Sequence, residues 1–184
     1  MGYYNEEGWR EDVGVLVPIS GGVTAPVIEA VGGSGLYAYK FASGDEVLSS
    51  FIINYDIKPG GVCYPTMRFM PSTTMSAGET LSWTFEYNSA RGRAGDNATG
   101  GVLTPVATTV TLGYTANGTE QAGEHLVATV TEGLTTPEVG SIILAKVTYN
   151  EGTYGEDVWG VACTLQYEAD RNATPNREPN FYGN

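Results

Sequence analysis

The sequence predicts an all-β fold: a single-domain antiparallel β-sandwich, jelly-roll-like, with extended N- and C-terminal tails. Three observations predict it. Short runs of β-branched and aromatic residues alternate with a period of two, as half-buried strands do. Clusters such as "VGGSG", "MSAGE", "TANGTEQAGE" and "NEGTYGED" punctuate those runs with turn-forming residues. No stretch carries a convincing amphipathic helical repeat, which leaves a sandwich or jelly roll. The 184 residues, 41% of them hydrophobic, suit one domain spanning 1–184 with an interior that needs no staples.

Taken in order, Met1–Trp9 reads as a polar, aromatic tail. Strands are expected over Val13–Val17, Leu36–Phe41 and Val47–Ile57. Val62–Met70 follows, and its Pro65 removes a ladder donor, so this run should be an edge strand or contain a bulge. Pro65, Met67, Arg68, Phe69 and Met70 are then a candidate subunit interface, because an apolar edge needs cover. That cover is either a loop of the chain itself or a symmetry-related subunit. Glu79–Asn88 is the clearest strand: Leu81, Trp83, Phe85 and Tyr87 point one way, and Ser82, Thr84, Glu86 and Asn88 the other. Val106–Tyr114 is the next expected strand. Leu126–Thr131 has some helical propensity, but Val127, Thr129 and Val130 favour a strand. Ser141–Asn150 places Ile143, Ala145, Val147 and Tyr149 on one face. Val158–Asp170, the ninth, aligns Val161, Cys163, Leu165 and Tyr167. Residues 170–184 form a polar tail ending in Phe181 and Tyr182, a candidate docking anchor.

Charge narrows the function classes. Nine Lys and Arg against 21 Asp and Glu leave a net charge of −12, which argues against nucleic acid and an anionic membrane face. Only 16% of residues are charged, well under the roughly 25% of ordinary soluble chains, so partners are expected to cover part of the surface. No charged-then-apolar leader opens the chain, and no apolar run is long enough to span a bilayer.

Chemistry finds little to hold. His125 is the only histidine, so no Cys/His metal pattern exists, and its "GEH" context suits a surface residue better than a base. Neither a phosphate-cradling glycine loop nor a Gly-x-Ser-x-Gly elbow occurs. The carboxylates Asp45, Asp96, Glu120, Glu156 and Asp157 sit in turns, where solvation accounts for them. "GDNATGG" at Gly95–Gly101 could wrap a calcium ion through Asp96 and Asn97, but it lacks the acidic ladder of a strong calcium loop, and a flexible turn is the favoured reading. Asn97, Asn117 and Asn172 head Asn-x-Thr triplets, which a chain rich in Thr and Asn produces by chance. Cys63 and Cys163, each flanked by apolar residues, are expected to be free, buried small hydrophobes; whether they pair is a question of geometry. No catalytic residue, metal or cofactor is therefore expected.

The order of the segments "WREDV", "GSGLYAYKF", "YDIKPGG", "YPTMRFMP", "LSWTFEYNSARG", "LQYEADR" and "EPNFYG" resembles a family of small phage and marine-virus virion-associated proteins. The match runs from about Trp9 to Tyr182. One departure stands out: the family's two strand histidines fall on Thr66 and Arg68, and its tryptophan on Phe69, so a role resting on those histidines is absent here. The resemblance implies a non-enzymatic virion structural protein with a jelly-roll-like fold, a homotrimer that contacts other capsid or tail proteins. Such a subunit would decorate or cement a capsid or build a short fibre or tail appendage. The alternative expectation is a carbohydrate-recognising module at a fibre or tail tip, whose partner is a host surface glycan.

Overall fold

The computed structural model describes residues 8–19, 24–54, 56–58, 60–91, 107–135 and 140–169. The first strands in chain order are β1 (Gly8–Gly14), β2 (Val17–Pro18), β3 (Val27–Ala30), β4 (Tyr37–Phe41), β5 (Glu46–Ile52) and β6 (Val62–Pro71). They continue as β7 (Thr80–Arg91), β8 (Thr108–Thr115), β9 (Leu126–Thr129), β10 (Leu134–Thr135), β11 (Ser141–Asn150) and β12 (Val158–Ala169). Among the described residues there is no helix, and every strand pair is antiparallel.

Hydrogen bonding follows one path, β2-β5-β11-β7-β8-β9-β6-β12-β4-β3, with β1 added to β12 and β10 to β6. The path narrows at β8 and β9, which are joined only through Gly113 and Thr129. Either side of that link the strands form two layers. The first is β2-β5-β11-β7-β8; the second contains β9, β6, β12, β4 and β3 with β1 and β10. Rings from the two layers meet edge-on in the core. Phe41 on β4 lies 4.9 Å from Trp83 on β7, and Phe69 on β6 lies 5.4 Å from Tyr114 on β8.

Alternation decides which side chains enter this core. Along β11, Ile143, Ala145, Val147 and Tyr149 are buried while Ile142 and Leu144 face out, as their period of two requires. Leu81, Trp83 and Phe85 do the same on β7. Close packing leaves no room for a side chain at Gly160, where a β-carbon would overlap the Phe41 ring and the Met67 methyl. Gly152 is constrained twice, by a φ of 60° and by the backbone of Thr80 directly above it.

Several expectations are corrected. The run at Val62 is not an edge. β6 pairs with β12 along nearly its whole length, and its other side carries β10 at residues 62–63 and β9 at 66–69. Pro65 falls in the gap between those two short partners, where its missing N–H interrupts neither. Pro65, Met67 and Phe69 are buried in the chain's own interior, so they cannot form a surface for a second subunit. The bulge belongs to the partner strand, between Gly160 and Ala162 of β12. It turns Val161 outward to 47% exposure instead of aligning it with Cys163. Gly8 and Trp9, expected in the N-terminal tail, belong to β1, because Trp9 pairs with Glu168. Val13–Val17 divides between β1 and β2, and β3 and β10 were not expected. Gly95–Gly101 and the tail at 170–184, with Phe181 and Tyr182, lie outside the described residues.

Candidate ligand-binding face

The outward face of the second layer is built where β6, β12 and β1 lie side by side. Pairing of Tyr167 with Arg10 and Leu165 with Asp12 turns Trp9, Glu11 and Val13 outward. The same alternation brings Tyr64, Thr66 and Arg68 outward on β6 and Thr164 and Gln166 outward on β12. Side chains from three strands therefore converge, though they are far apart in sequence.

A polar row crosses the strands. Arg68 grips Glu11 in a fork, with Nε donating to Oε1 at 2.9 Å and Nη2 to Oε2 at 2.5 Å. Thr164 donates to Glu11 and its hydroxyl lies 2.6 Å from that of Thr66. Both threonines are buried beneath the ion pair, so their hydroxyls are satisfied by this row. Burial pushes the Glu11 carboxyl up. The hydrogen bonds from Arg68 and Thr164, with the positive charge of Arg68, outweigh it and hold Glu11 below its usual pKa. Glu11 is thus a fixed anion and Arg68 a fixed, internally neutralised cation.

Aromatic rings border the row. Trp9 is 65% exposed, and its ring stands edge-on to Tyr64 with centroids 5.6 Å apart. Exposed Thr129 and His125 lie at the β9 border. A second polar group lies on the inward side of β1, where Asn54 donates to Asp12 at 2.6 Å and Tyr167 donates to Asp56 at 3.2 Å. Arg10 pairs with Asp56 at 2.9 Å, which leaves that group internally matched.

Of the residues singled out from the sequence, Arg68 reaches this face with Thr66 beneath it, and His125 lies at its border. Met70 is half-buried beside β12. Asp45 and Glu120 are buried, not solvated: Asp45 accepts from the Ala42 N–H at 2.7 Å. His125 is exposed, as expected. Cys63 and Cys163 are buried and free, and they sit four register positions apart on β6 and β12. That spacing is about 14 Å along the strands, twice the roughly 7 Å limit for a disulfide. Trp9 and Glu11 were missed because "WRED" presents charge on both faces; the outward alternation of Trp9, Glu11 and Val13 was the signal that could have found them.

Fold and face together define an antiparallel β-sandwich that displays an aromatic and hydrogen-bonding sheet surface. No protein-family model matches the sequence, and no curated protein matches it. Among solved structures, similarity is found to the CBM36-1 domain of a multidomain xylanase from the hindgut metagenome of Trinervitermes trinervoides. That match has 7% identity, covers 86% of this chain and 96% of that one, and has a TM-score of 0.43. A carbohydrate-binding module specific for non-crystalline cellulose, CBM28, matches at 12% identity over 84% of this chain and 86% of its own, with a TM-score of 0.30. An arabinose-bound α-L-arabinofuranosidase, MgGH51, matches at 11% identity and a TM-score of 0.33, over 87% of this chain but only 23% of its own length. With every TM-score below 0.5, these likenesses transfer nothing to the residues of this face.

Proposed function

We propose that this protein is a non-enzymatic module that binds a neutral carbohydrate chain across the outer face of its second layer. The observation that carries the reading is exposed Trp9, edge-on to Tyr64 and beside the Arg68–Glu11–Thr164 row. A pyranose ring has an apolar C–H face and a rim of hydroxyls. Aromatic rings accept the first, and fixed donors and acceptors fit the second. A sheet surface is open at both ends, which suits a chain over an enclosed single sugar. Neutral glycans are favoured because Arg68 is already neutralised by Glu11 and the chain's net charge is −12, which repels acidic ones. Neither thiol serves as a nucleophile, since both are buried and raised to about 12.

The test is titration of the purified protein with soluble neutral polysaccharides by calorimetry and affinity electrophoresis. Trp9→Ala should weaken binding at least tenfold, about 1.4 kcal/mol, with the melting temperature unchanged because the ring is mostly exposed. Absence of binding across the panel, or full binding by Trp9→Ala, overturns the reading.

A second reading, a virion structural subunit, is supported by the order of segments shared with the virion-associated family. Its test is the copy number and location of the protein in purified particles. Labelling over the head supports decoration, labelling at the tail tip supports a receptor module, and absence from the particle removes the reading.

A further inference from the structure

The first layer, β2-β5-β11-β7-β8, also turns one face outward, and that face is not an ordinary solvent surface. Leu48 and Ile52 on β5, Ile142 and Leu144 on β11, and Val17 on β2 are all exposed there, from 37% to 65%. The register makes them contiguous, with Val17 beside Leu48 and Ile52 beside Ile142. Singly, exposed apolar side chains need no explanation; five on three adjacent strands do. On β7, Ala90 and Asn88 lie beside Ile142 and Leu144 and Glu86 lies beside Lys146, with Thr109 and Thr111 next on β8.

Lys146 on this face is held between two carboxylates, which leaves the group with a net charge of −1. Lys146 Nζ lies 3.2 Å from Glu46 and 2.6 Å from Glu86, one cation shared by the carboxylates on either side. On a chain with a net charge of −12, copies repel one another across most approaches. Here each copy presents an apolar stripe and a triad carrying one net negative charge, so like-charge repulsion is low.

We propose that two copies of this chain pack these outer faces together about a two-fold axis. The dimensions fit. Five strands spaced about 4.8 Å apart, from the two residues of β2 to the twelve of β7 and averaging about eight at 3.4 Å each, cover about 650 Å2 in projection. A standard stable interface buries about 800 Å2 per partner, and a pleated surface exceeds its projection. An isologous contact closes after two copies, and two sheets stacked face to face stand about 10 Å apart. The open hollow of about 540 Å3 beside Val17, Leu48 and Leu144 would receive side chains of the facing copy. The Trp9 face, on the opposite layer, stays free in such a dimer, so this inference stands whether or not glycan binding holds.

The experiment is sedimentation velocity and light scattering on the full chain at tens of micromolar. The expected mass is twice the 19.5 kDa of one chain, falling to 19.5 kDa for Leu48→Asp/Leu144→Asp with an unchanged β-sheet spectrum. Should that variant fail to fold, Ser50→Arg, exposed between the same apolar residues, places one charge per copy at the contact and should also give the monomer. A monomeric parent protein, a threefold mass, or a folded variant that remains dimeric each overturns the proposal. So does a monomer whose melting temperature collapses in Leu48→Asp/Leu144→Asp, since the chain itself would then cover the face.

Discussion

Glu120 illustrates how one side chain can be misread from its neighbours. In "NGTEQAGE" it looks like a solvated turn carboxylate. In the fold it accepts backbone N–H bonds from Asn117 and Gly118 at 2.9 Å and Thr119 at 3.0 Å, and the Tyr114 hydroxyl at 2.7 Å. Those donors favour the charged form and hold its pKa at about 2, against the usual 4.5. A carboxyl whose pKa is lower in the folded state stabilises fully above 4.5 and loses that contribution as pH falls toward 2. Glu120→Gln should therefore lower the melting temperature at neutral pH and flatten its decline between those two pH values. Melting curves across the acid range give the answer, and an unchanged acid slope would assign the loss to other groups. The turn's composition was legible in the sequence, but the donors converging on Glu120 depend on how the loop closes.

At the level of elements, β6 and β1 show opposite failures of local reading. Apolar residues and a proline made β6 look like an edge, yet it is a central strand whose Phe69 touches Tyr114 in the core. Phe69→Ala should cost about 3–5 kcal/mol by leaving a cavity, visible as a lower urea midpoint. Phe69→Asp, which an exposed interface would tolerate in the monomer, should fail to fold because it buries an unpaired charge. A folded, merely monomeric Phe69→Asp protein would contradict that placement. β1 was split between a tail ending at Trp9 and a strand beginning at Val13, because Arg10 and Asp12 break the apolar alternation. Both of those charges are matched across the fold, Arg10 by Asp56 and Asp12 by Asn54, and β12 supplies the hydrogen bonds. Strands β7 and β11 were legible because every second residue is buried along β11 and from Leu81 to Phe85 on β7, whereas the Gly160/Ala162 bulge shifts the phase of β12 midway.

Across the whole molecule, the two thiols report on the shared core. Cys63 and Cys163 lie at 0% exposure, and desolvation, with Asp12 adding to it at Cys63, raises both to about 12. Neither should react with an aromatic disulfide reagent at mildly alkaline pH in the native state. Both should react in urea along the same curve as the loss of β-sheet signal, because opening either site means separating the layers. Rapid labelling of one thiol in native buffer would show that its part of the sandwich opens alone. Alternation and turn chemistry, which are local, sufficed to read an all-β antiparallel protein and most of its strands from the sequence. Strand order is a matter of long-range pairing, and nothing in nearby residues records it. Folding alone brought Trp9 and Glu11 beside Tyr64, Arg68 and Thr164, and made β6 central, because a strand's two hydrogen-bonding sides accept whichever distant segments the burial of the whole core brings to them.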